Sequence, residues 1–196
     1  RWLRDVASAL DHVHARGLIH RDVKPANVMI VPSEDGGTRA VLVDFGLMGQ
    51  FRTDTGREVL EVGGTLMGTV LYTAPEQISG ELVDARTDLY AFGVMLYEIV
   101  TGQAPFNSTS IRSILTMHLT EPPAAPSSLV RGVPPVLENL ILNLLAKRRG
   151  DRLGYAEDVA QQLIEAGAEP DSDFKIERAA YLYRPEIVGR NETIDS

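Results

Sequence analysis

Apolar positions recur along this chain with two different periods, and each change of period marks a new element. Trp2, Leu3, Val6, Ala7, Leu10 and Val13 fall at helical spacing, which predicts an amphipathic helix over residues 2–15, stopped near Gly17. Val28–Val31 is a short apolar run, residues 32–37 carry turn chemistry, and Ala40–Val43 is a second apolar run. That order predicts a β-hairpin. Residues 47–73 mix glycines and threonines with no period and read as a mobile loop. Thr87–Val100 is apolar on nearly every face, which predicts a fully buried central helix ended by Gly102. Ser110–Leu119, Pro135–Ala146 and Ala156–Ala166 predict three further helices. The proline-rich stretch Glu121–Pro135 is read as a structured loop within the same domain, not as an interdomain linker. There is no internal repeat.

Composition narrows the classes. A chain of 196 residues with 44% apolar content is long enough for one domain with a real core. Its formal charge of −8 argues against broad binding to nucleic acid or to anionic membranes. It has no cysteine, so disulfide scaffolds and thiolate chemistry are excluded, which fits a cytoplasmic setting. The longest apolar stretch, Leu89–Ile99, is broken by Glu98 and falls short of the ~20 residues that a membrane span needs. The chain opens without Met, in mid-pattern for a helix, and reads as a piece of a longer protein.

The chemistry concentrates in His20-Arg21-Asp22-Val23-Lys24-Pro25-Ala26-Asn27, with Asp44-Phe45-Gly46 after it. A carboxylate such as Asp22 can take a proton from a hydroxyl, although a lone loop Asp is usually a turn or cap residue. Lys24 would bring an ammonium near a transferring phosphate; otherwise it is an ordinary solvated lysine. Asn27 and Asp44 supply oxygen ligands of the kind that Mg²⁺ takes in small number, beside phosphates and water. A capped hairpin is the plainer reading of that pair. It leaves Phe45 and Gly46 unexplained. The predicted hairpin lies between Asn27 and Asp44, so it would bring them together despite their separation in sequence.

The octet fits H-R-D-x-x-x-x-N, Asp44-Phe45-Gly46 is D-F-G, and Ala74-Pro75-Glu76 closes the segment between them and the central helix. On these motifs the chain resembles the C-terminal lobe of a eukaryotic-like serine/threonine protein kinase of bacterial type, over residues 1–168. The resemblance implies a mainly α fold with a small β-hairpin beside the catalytic loop. It implies transfer of the ATP γ-phosphoryl group to Ser or Thr of protein substrates. Asp22 would be the catalytic carboxylate, Lys24 would bind phosphate, and Asn27 and Asp44 would hold Mg²⁺. Lys24-Pro25-x-Asn27 resembles the serine/threonine subgroup.

By the same resemblance, His20, Glu76, Asp88 and Arg152 are scaffold: His20 supports the loop, Glu76 pairs with Arg152, and Asp88 holds the catalytic-loop backbone. Arg21 resembles the phosphate-receiving arginine of kinases switched by loop phosphorylation, with Thr65 as the phosphorylated residue; a plain ion pair is the alternative for Arg21. Thr53 and Thr55 are weaker phosphorylation candidates. Thr69, in Gly68-Thr69, would shape the substrate groove.

Two clusters carry less. Lys147, Arg148, Arg149 and Arg152 are read as cations at a helix C-terminus, favoured by the dipole, not as a nucleic-acid patch. His12 and His14 are two apart on a helix and do not share a face, so they are not a metal pair.

The glycine-rich loop and strand lysine of a kinase N-terminal lobe would lie upstream of Arg1. Residues 169–196 are read as a linker and the start of a P-loop ATPase domain of AAA type, because Pro185–Arg190 resembles the entry to one. A pseudokinase-like scaffold controlling that ATPase is the alternative function; Asp22, Asn27 and Asp44 argue against it. A small-molecule phosphotransferase is a third option, disfavoured by Gly68-Thr69 and Ala74-Pro75-Glu76.

Overall fold

The structure, a computed structural model, describes residues 1–33, 36–44 and 70–169. Phe45, Gly46, Thr53, Thr55, Thr65, Gly68, Thr69 and the segment 170–196 lie outside the described residues, so the expectations attached to them are not addressed by it.

The described residues are mainly helical. In chain order they form α1 (Trp2–His14), β1 (Val28–Pro32), β2 (Thr38–Leu42), α2 (Pro75–Ser79), α3 (Ala85–Thr101), α4 (Ile111–Thr120), α5 (Pro126–Leu129), α6 (Pro135–Leu144) and α7 (Ala156–Glu165). The predicted helices and hairpin are present with boundaries moved by a residue or two. Two short helices, α2 and α5, are additions that no period announced, since each is little more than one turn. Proline opens both at the first helical position, where its missing N–H costs nothing.

α3 is the axis of the fold. Asp84 caps it by accepting the Arg86 N–H at 2.9 Å, and Gly102 stops it at φ 76°. Leu89, Tyr90, Phe92, Val94, Met95, Leu96 and Tyr97 are all buried. The expectation of burial along the whole helix fails in its last turn: Ile99 is 56% exposed, and Glu98 and Val100 are only partly covered. The other elements surround the first three turns, and the C-terminal end emerges from them.

α1 buries Val6, Ala7, Leu10 and Val13, a stripe at helical spacing, and packs against α7 and β2. α7 answers with Ala156, Val159, Ala160 and Leu163. α6 crosses α3 closely at Gly93, where an added Cβ would lie 2.7 Å from Leu144 Cβ. The hairpin is a two-stranded antiparallel sheet with Val28 opposite Leu42 and Ile30 opposite Ala40. Buried Ala40 and Leu42 join it to the main core.

Candidate active site

The loop that carries the octet is held from below by one side chain. Asp88 lies in the first turn of α3 and is 1% exposed. Its Oδ1 accepts the Arg21 N–H at 2.8 Å, and its Oδ2 accepts the His20 N–H at 2.8 Å. Oδ2 also meets His14 Nε2 of α1 at 2.8 Å. A buried carboxylate is tolerated when its oxygens are satisfied in this way. Arg21 has φ 67°, a left-handed conformation that a long L side chain seldom adopts. The two amides on Asp88 fix that conformation, which turns the chain toward Asp22.

His20 is fully buried, and both its ring nitrogens are engaged. Nδ1 accepts the Asp22 N–H at 3.3 Å, so the ring proton is on Nε2, which faces the Val43 carbonyl at 3.2 Å. The imidazole therefore bridges the loop to the strand that leads to Asp44.

Asp22 Oδ2 is the focus of the loop. Lys24 Nζ donates to it at 2.7 Å and Asn27 Nδ2 at 2.9 Å. Asn27 Nδ2 also donates to the Asp22 carbonyl at 2.8 Å. Among the described residues nothing bonds Asp22 Oδ1, and no donor reaches Asn27 Oδ1. One carboxylate oxygen and one amide oxygen are left for other partners. The single turn of 3₁₀-helix at Pro25–Asn27, opened by Pro25, places Asn27 at the foot of β1.

The hairpin returns the chain to that point. Beyond the Val28–Leu42 pair, the Val43 N–H donates to the Asn27 carbonyl at 2.9 Å. Asp44 is the next residue, exposed and with φ 63°. Asp tolerates this conformation better than most residues. The hairpin thus brings the backbone at Asn27 and at Asp44 together, so that two residues with oxygen-bearing side chains lie at one end of the sheet. The set suits a hard cation that keeps phosphate and water ligands. Among the described residues no group of three or more His, Cys, Asp and Glu could enclose a metal by itself.

A second buried network lies under α2. Arg152 Nη1 and Nη2 grip Glu76 Oε1 and Oε2 at 2.7 and 2.9 Å. Its remaining donors reach the carbonyls of Ala146, Arg86 and Lys147 at 2.7, 3.2 and 3.1 Å, and its guanidinium lies 4.7 Å from the Tyr90 ring centre. Thr87 Oγ1 donates to Glu76 Oε1 at 2.8 Å. Burial works to raise the Glu76 carboxyl, but the hydrogen bonds and charge of Arg152 outweigh it and hold it below its ordinary value.

The basic cluster is not one patch. Arg152 is buried on Glu76, Arg149 donates to the Leu82 carbonyl, and Lys147 donates to the Met117 carbonyl at 3.0 Å beside the Phe106 ring. These specific contacts, more than a helix dipole, account for the cations. Lys147 is pushed down to about 8, first by burial and then by the charge of Arg152. Near it His118 is fully buried, with Nδ1 2.8 Å from the Tyr90 hydroxyl and its ring edge-on to Phe106. Burial, then the Lys147 charge, pushes His118 down to about 4, with the Leu71 backbone acting against them.

Sequence reasoning missed His14. The sequence pairs it only with His12, which is exposed, whereas His14 continues the buried stripe of α1 from Ala7 and Leu10 and ends on Asp88. A histidine on the apolar face of a helix was the available signal.

These elements, an H-R-D loop under a buried Asp and an Asn–Asp pair joined by a hairpin, are those of phosphotransfer domains. Residues 1–164 match the protein kinase domain family, and the chain belongs to it. It is 39% identical over 172 residues to the serine/threonine-protein kinase PknB of Mycolicibacterium smegmatis, covering 87% of this chain and 27% of that protein. It is 38% identical over 173 residues to PknB of Mycobacterium tuberculosis H37Rv, covering 87% and 26%. To PknH of the same strain it is 37% identical over 171 residues, again covering 87% and 26%. The chain spans about a quarter of the length of the curated relatives it matches. Among the described residues no helix is long and apolar enough to cross a membrane.

Proposed function

We propose that the protein carrying this chain transfers the γ-phosphoryl group of ATP to Ser or Thr hydroxyls of protein substrates, in a cytoplasmic setting. The observation that supports this best is the unequal use of the Asp22 carboxylate. Its Oδ2 is occupied by Lys24 and Asn27, while no described group bonds Oδ1. A substrate hydroxyl hydrogen-bonded to Oδ1 would be oriented for attack and would give up its proton there as the new O–P bond forms and the β–γ phosphoanhydride bond breaks, releasing ADP. Lys24, held within the site by Asp22, would meet the negative charge of the transferring group. Asn27 Oδ1 and Asp44 are the residues that would hold Mg²⁺, which, when bound, neutralises phosphate charge.

The chain supplies only part of such a site. We infer that a further lobe, N-terminal in the intact protein, completes the nucleotide pocket, and that residues 1–196 alone bind Mg-ATP weakly and do not turn over. The reading of residues 169–196 as the approach to a P-loop ATPase predicts a G-x-x-x-x-G-K-[ST] motif after Ser196. Sequence beyond that point decides it without touching the kinase reading.

The test of the main reading is transfer of radiolabelled phosphate from ATP by the intact protein, followed by identification of the phosphorylated residue type. Asp22→Asn and Asp44→Asn should each lower transfer by roughly 10²–10⁴-fold with folding retained. Near wild-type activity in either variant, or label on a residue other than Ser or Thr, would overturn the reading.

A further inference from the structure

Asp5 lies in the first turn of α1, far in sequence from every motif that carries chemistry, yet it touches the strand that leads to Asp44. Its Oδ2 accepts the Ala40 N–H at 3.0 Å. Its Oδ1 accepts from Arg4 Nη2 at 2.9 Å. Ala40 sits at the middle of β2, and among the described residues the sheet has only two strands. The outward amide of an edge strand needs a partner when it is buried, and Ala40 is 6% exposed. The Asp5 carboxylate takes the place that a third strand would fill.

The same helix turn makes a second contact to β2, where Trp2 Nε1 donates to Thr38 Oγ1 at 3.0 Å. A two-stranded hairpin is marginal by itself, so its position depends on such outside anchors. Two residues past Leu42 the strand delivers Asp44, and the intervening Val43 is bonded to both Asn27 and His20. Displacement of β2 at Ala40 therefore reaches Asp44 within four residues. Arg4 fixes the orientation of the Asp5 carboxylate. It is itself only 6% exposed and donates from Nη1 to the Glu169 carbonyl, beyond the end of α7.

We propose that Asp5 is a positioning residue for the cation site: through the Ala40 amide it holds β2 and so sets Asp44 against Asn27. The proposal rests on the phosphotransfer reading of that site. It assigns Asp5 no contact with substrate or metal.

The test uses the intact protein and three variants, Asp5→Ala, Asp5→Asn and Arg4→Met. Backbone amide exchange is measured across residues 38–44 and, as a control, across α3. The Mg²⁺ concentration for half-maximal phosphoryl transfer is measured in parallel. Asp5→Ala should speed exchange in 38–44 and leave α3 unchanged. It should raise the Mg²⁺ requirement about tenfold, the scale of one hydrogen bond to a charged acceptor. Asp5→Asn keeps an oxygen for Ala40 and should recover part of the Mg²⁺ requirement, the remainder reflecting the lost charge of its buried pair with Arg4.

A purely structural Asp5 would lower the denaturation midpoint while the Mg²⁺ requirement stayed put, and that result overturns the proposal. Should Asp5→Ala fail to fold, Arg4→Met carries the test: it leaves the carboxylate in place but unfixed, and an unchanged requirement there overturns the proposal equally. A wild-type protein with no Mg²⁺-dependent transfer would instead remove the functional reading, and the Asp5 proposal with it. Wild-type transfer with unaltered Mg²⁺ dependence in the variants removes the Asp5 proposal alone.

Discussion

Arg152 grips both carboxylate oxygens of Glu76: two of its five N–H donors reach them, and the other three end on backbone carbonyls of Ala146, Arg86 and Lys147. Every donor of a buried guanidinium is thus used. The pair fastens α2 to α3 and to the turn before α7.

Breaking this pair from one side leaves a buried charge without its partner. Arg152→Met should destabilise the protein by about 3–5 kcal/mol in urea denaturation, and Glu76→Gln by less. The double variant Glu76→Leu with Arg152→Met should cost clearly less than the sum of Glu76→Leu and Arg152→Met measured singly. Strict additivity would mean that the two side chains do not act as a unit.

Asp88 is predicted to matter for activity more than for stability. Asp88→Asn has one oxygen where the loop needs two, and its amide nitrogen would face the N–H of Arg21 or of His20. The loss of one such bond is worth roughly 1–3 kcal/mol, so phosphoryl transfer should fall by roughly ten- to a hundredfold. A steady-state assay should show the loss mainly in kcat, because the loop and not the nucleotide pocket is disturbed. An unchanged kcat would remove Asp88 from the support of the catalytic loop.

Acid should weaken the fold through His118. Its folded value of about 4 lies below the ordinary histidine value of 6.5, so the unfolded chain binds the proton more tightly between them. Stability is then complete above the unfolded value and is lost as pH falls from 6.5 toward 4, by on the order of 3 kcal/mol. Glu76, held low by Arg152, adds its own loss below its ordinary 4.5. Urea midpoints measured from pH 7 to 4.5 should slope downward, and His118→Gln should flatten that slope. An identical slope in the variant would show that His118 does not carry it.

Gly93 marks the close approach of α3 and α6. A Cβ there would lie 2.7 Å from Leu144 Cβ, on well-packed helices that cannot both keep their place. Gly93→Ala should destabilise by about 1–3 kcal/mol despite the better helix propensity of alanine. Combining it with Leu144→Ala should recover part of the loss.

Loop phosphorylation is a further expectation. With Thr65 as acceptor and Arg21 as receiver, mass spectrometry of the active intact protein should find phosphate within residues 51–69. Active protein with none there would remove the switch.

The amphipathic elements were legible because their apolar positions repeat over several turns or form unbroken runs. α1 announces itself through Trp2 to Val13, and the hairpin through two apolar runs around a turn. The nearness of Asn27 and Asp44 followed from the hairpin alone. What escaped depends on contacts distant in sequence. His14 and Asp5 each sit on α1 as an ordinary polar residue, and only the packing of α3 and β2 against that helix gives them partners. The exposure of Ile99 was hidden for the same reason: an apolar run does not say where its neighbours stop.

The His20–Asn27 loop and its support are 67 residues apart in a chain of 196, and this has a consequence in time. Arg21 adopts left-handed backbone under the hold of Asp88, 67 residues later. A ribosome adds about 5–20 residues per second, so the octet is complete for several seconds before its support has been made. In that interval nothing holds the loop in its final shape. The loop acquires its geometry only when α3 has formed, so a nascent chain cannot hold Asp22 in this position ahead of its own core.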